Sequence, residues 1–94
     1  MLNCEQIKQQ LTDLKTIYNT FGENAQMKKL AEECAEFLHS YIKGEINNAY
    51  SEIADLKVLV DQFYMEELTI RQTYQNKIKR TIERIKEKFY EVKR

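Results

Sequence analysis

Residues 29–55 read KLAEECAEFLHSYIKGEINNAYSEIAD, from Lys29 to Asp55, and their reading decides the fold. The stretch holds no proline and a single glycine, Gly44, with apolar residues at helical period on both sides, so it reads as two helices joined by a short turn. Its acids recur three apart, as Glu33 and Glu36 and then as Glu52 and Asp55. Residues three apart share a helix face, so each pair can aim its carboxylates at one point. Four carboxylates around one point repel unless a counterion lies between them, which points to a hard cation such as Mg2+ and, through it, to a phosphate substrate.

Outward from this stretch the same periodicity continues. The spacing of Ile7, Leu11, Leu14, Tyr18 and Phe21 predicts a helix over 4–21, ended by Gly22. A second helix over about 24–43 would bury Met27, Leu30, Cys34, Phe37, Leu38 and Tyr41, with Gln26, Lys29, Glu33 and Glu36 as a polar stripe along the flank of that face. A third, over about 46–64, would turn Ala49, Ile53, Leu56, Leu59, Val60 and Phe63 inward, and Glu52 falls inside the arc those residues define. An ionised carboxylate there is costly unless paired, protonated or bound to metal. A fourth, over about 69–92, would bury Ile70, Tyr74, Ile78, Ile82, Ile85, Phe89 and Val92 and present Lys and Arg elsewhere.

The chain has 94 residues, no proline and two glycines, and 32% of it is charged, which predicts one all-α domain: a four-helix bundle with a modest core that oligomerisation would complete. No apolar run approaches a membrane span and the N-terminal residues lack the apolar core of a signal peptide, so a cytoplasmic protein without membrane partners is expected. Cys4 and Cys34 have no metal-ligand or disulfide spacing, and Cys34 reads as a small core residue. Net charge is zero but divided: residues 1–69 carry 6 Lys/Arg against 12 Asp/Glu, and residues 70–94 carry 9 against 3. With acids and bases balanced in one small domain, nucleic acid is not an expected partner.

The double motif, EECAE over Glu32–Glu36 followed by EIAD over Glu52–Asp55, resembles the EExxE and ExxD motif of the MazG-like all-alpha nucleotide pyrophosphohydrolases. In the fourth helix, NKIKR over Asn76–Arg80 is similar to that family's phosphate-contacting Asn-Lys-x-x-Arg run. The resemblance implies a homodimer or homotetramer that binds Mg2+, with Mn2+ able to substitute. Its activity would be cleavage of a nucleoside triphosphate between the α and β phosphates. Carried over by position, Glu33, Glu36, Glu52 and Asp55 become catalytic metal ligands, and Asn76, Lys77 and Arg80 become phosphate contacts. Glu32 matches the first acid of the motif at a wheel position further from the core than Glu33, and Lys29 is a further phosphate candidate.

Three other readings compete. EIADL after EExxE also resembles phosphoribosyl-ATP pyrophosphatase. The ExxH of Glu36 and His39 would suit a dimetal bundle, but the single histidine of the chain falls nearly opposite the apolar face. A non-catalytic helical interaction module would treat all the charges as solvated faces.

Overall fold

The computed structural model describes residues 1–88, which form four helices: α1 (Cys4–Phe21), α2 (Glu23–Ile42), α3 (Ile46–Glu66) and α4 (Leu68–Glu87). Each boundary has a local cause. At the start of α1, Asn3 and Gln6 exchange side-chain-to-backbone hydrogen bonds of 2.9 Å in a capping box. Gly22, at φ 88°, ends α1 and opens α2 in a single residue. After Ile42 the chain closes in a Schellman motif: Glu45 N–H donates to the Ser40 carbonyl at 3.0 Å and Gly44 N–H to that of Tyr41 at 3.1 Å, with Gly44 at φ 74°. Among the described residues no helix is long and apolar enough to cross a membrane.

The turn at 43–45 folds α2 and α3 back on each other as an antiparallel hairpin, the most extensive helix pair of the structure. Here the orientation of α2 departs from the sequence expectation. Gln26, Glu33 and Ser40, seven residues apart, are the buried residues of α2, with Leu30 and Phe37 half-buried between them. Cys34 is exposed, and Met27, Leu38 and Tyr41 retain 49%, 55% and 64% of their surface. The apolar arc of α2 is wider than one neighbouring helix can cover. Its Leu30–Phe37 edge meets α3, the polar stripe expected on the flank comes inward with it, and the opposite apolar edge is left outside.

On α3, Ala49, Leu59, Gln62 and Phe63 are buried and Glu52 and Leu56 half-buried, whereas Ile53 and Val60 of the expected core are exposed. Of the α1 face only Leu14 is buried; Ile7, Leu11 and Phe21 are exposed, and Tyr18 sets its ring edge-on to Phe63 at 5.6 Å. Among the described residues the buried apolar ones are therefore Leu14, Ala49, Leu59 and Phe63.

Helix α4 touches α3 alone, next to the turn that joins them. Arg71 Nη1 donates to the carbonyls of Tyr64 and Met65 at the end of α3, and Tyr74 meets Tyr64 edge-on at 5.2 Å. Beyond that it has no helical neighbour among the described residues. Ile70, Tyr74, Ile78, Ile82 and Ile85, expected in the core, are 36% to 54% exposed, and Phe89 and Val92 lie outside the described residues. The radius of gyration is 16.7 Å, against about 12 Å for a compact domain of this length. Accessible surface is 8069 Å², against roughly 5,700 Å² for a globular monomer of this mass.

Gly44 has open space around its Cβ position, so a side chain there meets only backbone strain from the positive φ. Gly44→Ala is expected to cost about 1 kcal/mol and lower Tm by several degrees, with Gly44→Asn costing less; thermal melts followed by circular dichroism check the order.

Candidate metal centre

The centre is built from the α2–α3 hairpin. Gln26 and Gln62 are hydrogen-bonded across it at 2.9 Å, and in this antiparallel register each step of a turn or two along α2 is matched by the same step back along α3. Glu33 thus comes level with Asp55, and Glu36 with Glu52. Glu33, Glu36 and Glu52 each place a carboxylate oxygen within 4.8 Å of the other two. Three of the four acids expected from the double motif therefore converge. Asp55 stands beside them, close enough to repel the Glu52 charge, and lines an adjacent cleft with Glu32 and Glu33.

Burial separates the acids. Glu33 is 6% exposed, Glu52 half-buried, and Glu36, Glu32 and Asp55 exposed. Lys29, one turn before Glu33, holds Glu33 Oε1 at 3.2 Å. That ion pair is the main reason the Glu33 carboxyl is held below its ordinary range, against the opposing effect of desolvation. Glu52 goes the other way: desolvation first, then contact with Glu33 and the charges of Glu36, Glu33 and Asp55, raise its carboxyl above the ordinary range. Within this arrangement Glu33 Oε2 and Glu52 Oε2 are buried and have no hydrogen-bond partner among the described residues.

Two unpartnered carboxylate oxygens in one buried seam are expensive to fold around. The donor set around them is all oxygen, anionic and clustered, which suits a hard divalent cation and not zinc or copper. Glu33, Glu36 and Glu52 would hold it, with Asp55 at its edge.

Two clefts flank the cluster. One, of about 650 Å³, lies between α1, α2 and α3 and reaches Glu33 and Asp55; the other, of about 370 Å³, reaches Glu36 and Glu52 and is bordered by Ala35, His39 and Ser40. His39 borders the second cleft but is not part of the three-oxygen group. Lys29, a sequence candidate for phosphate, is engaged with Glu33. Asn76, Lys77 and Arg80 are exposed on α4 and line neither cleft, because α4 does not approach α2 within the chain. Among the aromatic residues of α1 and α2, Phe21 lines the larger cleft, while Phe37 and Tyr41 stack on each other at 6.4 Å and Tyr18 packs on Phe63.

Gln62 was not legible as a site residue. The signal that could have found it is an amide between Leu59 and Phe63, inside the same core-facing arc that made Glu52 conspicuous.

Comparison with protein-family models, with curated proteins and with solved structures returns no match to this chain. The centre therefore stands on its own geometry.

The opposed shifts give opposite pH signatures in cation-free protein. A carboxyl raised above its ordinary 4.5, as at Glu52, favours the fold below that value and loses this contribution as pH rises through the folded value. Glu33, depressed from 4.5, contributes above it and loses that contribution as pH falls through its lowered value. At pH 7 without divalent cations, Glu52→Gln should therefore raise Tm and Glu33→Gln should lower it, both differences shrinking as the pH is brought well below 4.5. Calorimetric melts across that range check the signs.

Proposed function

We propose that this chain is a Mg2+-dependent nucleoside triphosphate pyrophosphohydrolase of MazG-like type, working as a homo-oligomer. The observation that carries the reading is the pair of buried, unpartnered oxygens of Glu33 and Glu52 beside Glu36, with clefts opening on both sides. The double motif EECAE and EIAD supports it by resemblance, and its acids meet across the hairpin.

The reaction adds water to the α phosphorus and breaks that atom's bond to the α–β bridging oxygen, releasing a nucleoside monophosphate and pyrophosphate. Mg2+ held at this centre would offset the triphosphate charge and polarise the phosphorus toward attack. The chain's own residues set the stage for it. Glu33, kept ionised by Lys29, and Glu52, aimed from the opposite helix, offer oxygens fixed by the burial of their seam, while exposed Glu36 closes the set from the open side. Little rearrangement is needed when the cation arrives, since the repelling charges are already positioned.

Phosphate contacts are the part a single copy does not assemble. Asn76, Lys77 and Arg80 project on a helix that carries an exposed Ile70–Tyr74–Ile78–Ile82–Ile85 stripe. The segment from residue 70 onward holds 9 Lys/Arg against 3 Asp/Glu, while residues 1–69 hold 6 against 12. Apolar stripe, opposite charge and excess surface together favour a second copy that covers α4 and lends its basic residues to the acids of its partner.

Two outcomes are expected. With Mg2+ and a triphosphate panel, wild-type protein releases pyrophosphate, and Glu33→Gln or Glu52→Gln loses about 100-fold or more. Mg2+ at tenfold its Kd should stabilise the wild type by about 1.4 kcal/mol and the Gln variants much less; full activity in either variant would sink the assignment. For assembly, sedimentation should give a multiple of 11.3 kDa. Arg80→Ala and Lys77→Ala should raise KM where Lys86→Ala does not, and mixing inactive Glu52→Gln with Arg80→Ala protein should restore activity in the mixed oligomer. A fully active monomer contradicts it.

A further inference from the structure

The cleft of about 650 Å³ has a polar floor that phosphate hydrolysis does not use. Gln26 and Gln62, which both line it, are 7% and 1% exposed. Gln62 is held at both ends of its amide: its Oε1 accepts from Gln26 Nε2 at 2.9 Å and its Nε2 donates to the Val58 carbonyl at 3.0 Å. Gln26 makes only the first of these bonds, which leaves its carbonyl oxygen and one N–H without a protein partner among the described residues. These atoms are not among the sealed-off, unpartnered ones of the structure, so the amide, mostly buried, turns its free donor and acceptor to the cleft it lines.

One side of the cleft above this floor is apolar, formed by Ile17, Val58, Leu59 and Phe21, while Lys28, Lys29 and the acids toward Glu33 and Asp55 line the other, and Phe21 keeps 63% of its surface exposed at the end of α1. A flat heterocycle meets those demands: its faces lie against aromatic and aliphatic walls while one edge takes both hydrogen bonds of a side-chain amide, the geometry by which Gln and Asn read base edges elsewhere. The spacing along α2 fits as well. Gln26 precedes Glu33 by seven residues, about 10 Å of helix, so a base seated on Gln26 extends its sugar and 5′ phosphates along α2 toward the acid cluster.

We infer that this cleft is a nucleobase subsite, in which Gln26 reads the base edge, Phe21 covers the base face, and Gln62 is a positioning residue that fixes the Gln26 amide. The orientation of the phosphates rests on the pyrophosphohydrolase reading; the base contact does not. If the glutamine pair served only to fix the register of α2 on α3, its loss would change stability and leave nucleotide selectivity alone.

The test separates the two. Binding of the common nucleosides, with no phosphate and no Mg2+, is measured by NMR chemical-shift titration on the full chain. One base should bind best, with shifts centred on Gln26, Gln62 and Phe21. Gln26→Met, close in length but without an amide, should weaken that base about tenfold and level the preference among bases, and Gln62→Met should level it in part. In turnover, Gln26→Met should raise KM for the preferred triphosphate about tenfold with little change in kcat, and should leave any cleavage of inorganic tripolyphosphate unaltered. Should Gln26→Met fail to fold, Phe21→Ala at its exposed position is expected to lose nucleoside affinity with an unchanged melt. A folded Gln26→Met or Phe21→Ala protein with wild-type nucleoside affinity and base preference overturns the subsite, whatever the hydrolysis data show. Nucleoside binding that depends on Gln26, without hydrolysis of any triphosphate, keeps the subsite and removes the pyrophosphohydrolase reading instead.

Discussion

The burial of two like-charged side chains against each other, Glu33 from α2 and Glu52 from α3, is the constraint around which this small structure is arranged. A seam that accepts Glu33 with Gln26 and Ser40 at seven-residue intervals cannot also accept the Met27, Cys34, Leu38 and Tyr41 edge of the same helix. The hairpin thereby gives up apolar burial to hold polar groups in register, and Lys29 offsets only part of the charge so enclosed. Two oxygens remain without partners. This arrangement gives up stability while fixing carboxyl oxygens in place.

The same choice explains the thinness of the core. With four buried apolar side chains among the described residues, the chain relies heavily on the α2–α3 seam and on the edge-on contact of Tyr18 with Phe63. Its exposed apolar surface follows helical stripes, on α2, on α3 at Ile46, Tyr50, Ile53 and Val60, and on α4, and stripes of that kind are where further helices pack. On α4 the stripe runs beside a strongly basic face, and the acidic body of the chain offers the complementary charge. Assembly, cation and substrate would then act together, each relieving a cost that the protomer carries alone.

Much of this was legible in the residues. The apolar period, the glycines at 22 and 44 and the lack of proline mark the helices to within about two residues at every boundary but the last, where α4 ends at Glu87 and the periodicity ran on to 92, since those signals act locally. The inward position of Glu52 could be read from its place on the helical wheel, and the outward position of Glu32 relative to Glu33 from the same wheel. The facing of α2 was not legible in that way. Its apolar arc and its polar stripe adjoin, and a rotation of part of a turn decides which of them meets α3; that depends on how the surfaces of α2 and α3 fit each other, a property of two surfaces and not of either sequence. The helix-four stripe could be read as apolar, and within one chain its described members stay uncovered, because periodicity reports that a face needs a partner and not where the partner is.

By itself, then, the sequence determined four helices, their limits, the acids that can share a point and the division of charge, all of which follow from neighbours along the chain. Tertiary structure decided which acids converge, that Asp55 stands beside Glu33, Glu36 and Glu52 without joining them, that α4 leaves its bases far from the acids, and that Gln26 and Gln62 meet under a cleft. These depend on the register and rotation of one helix against another, which packing between surfaces sets and local propensity does not.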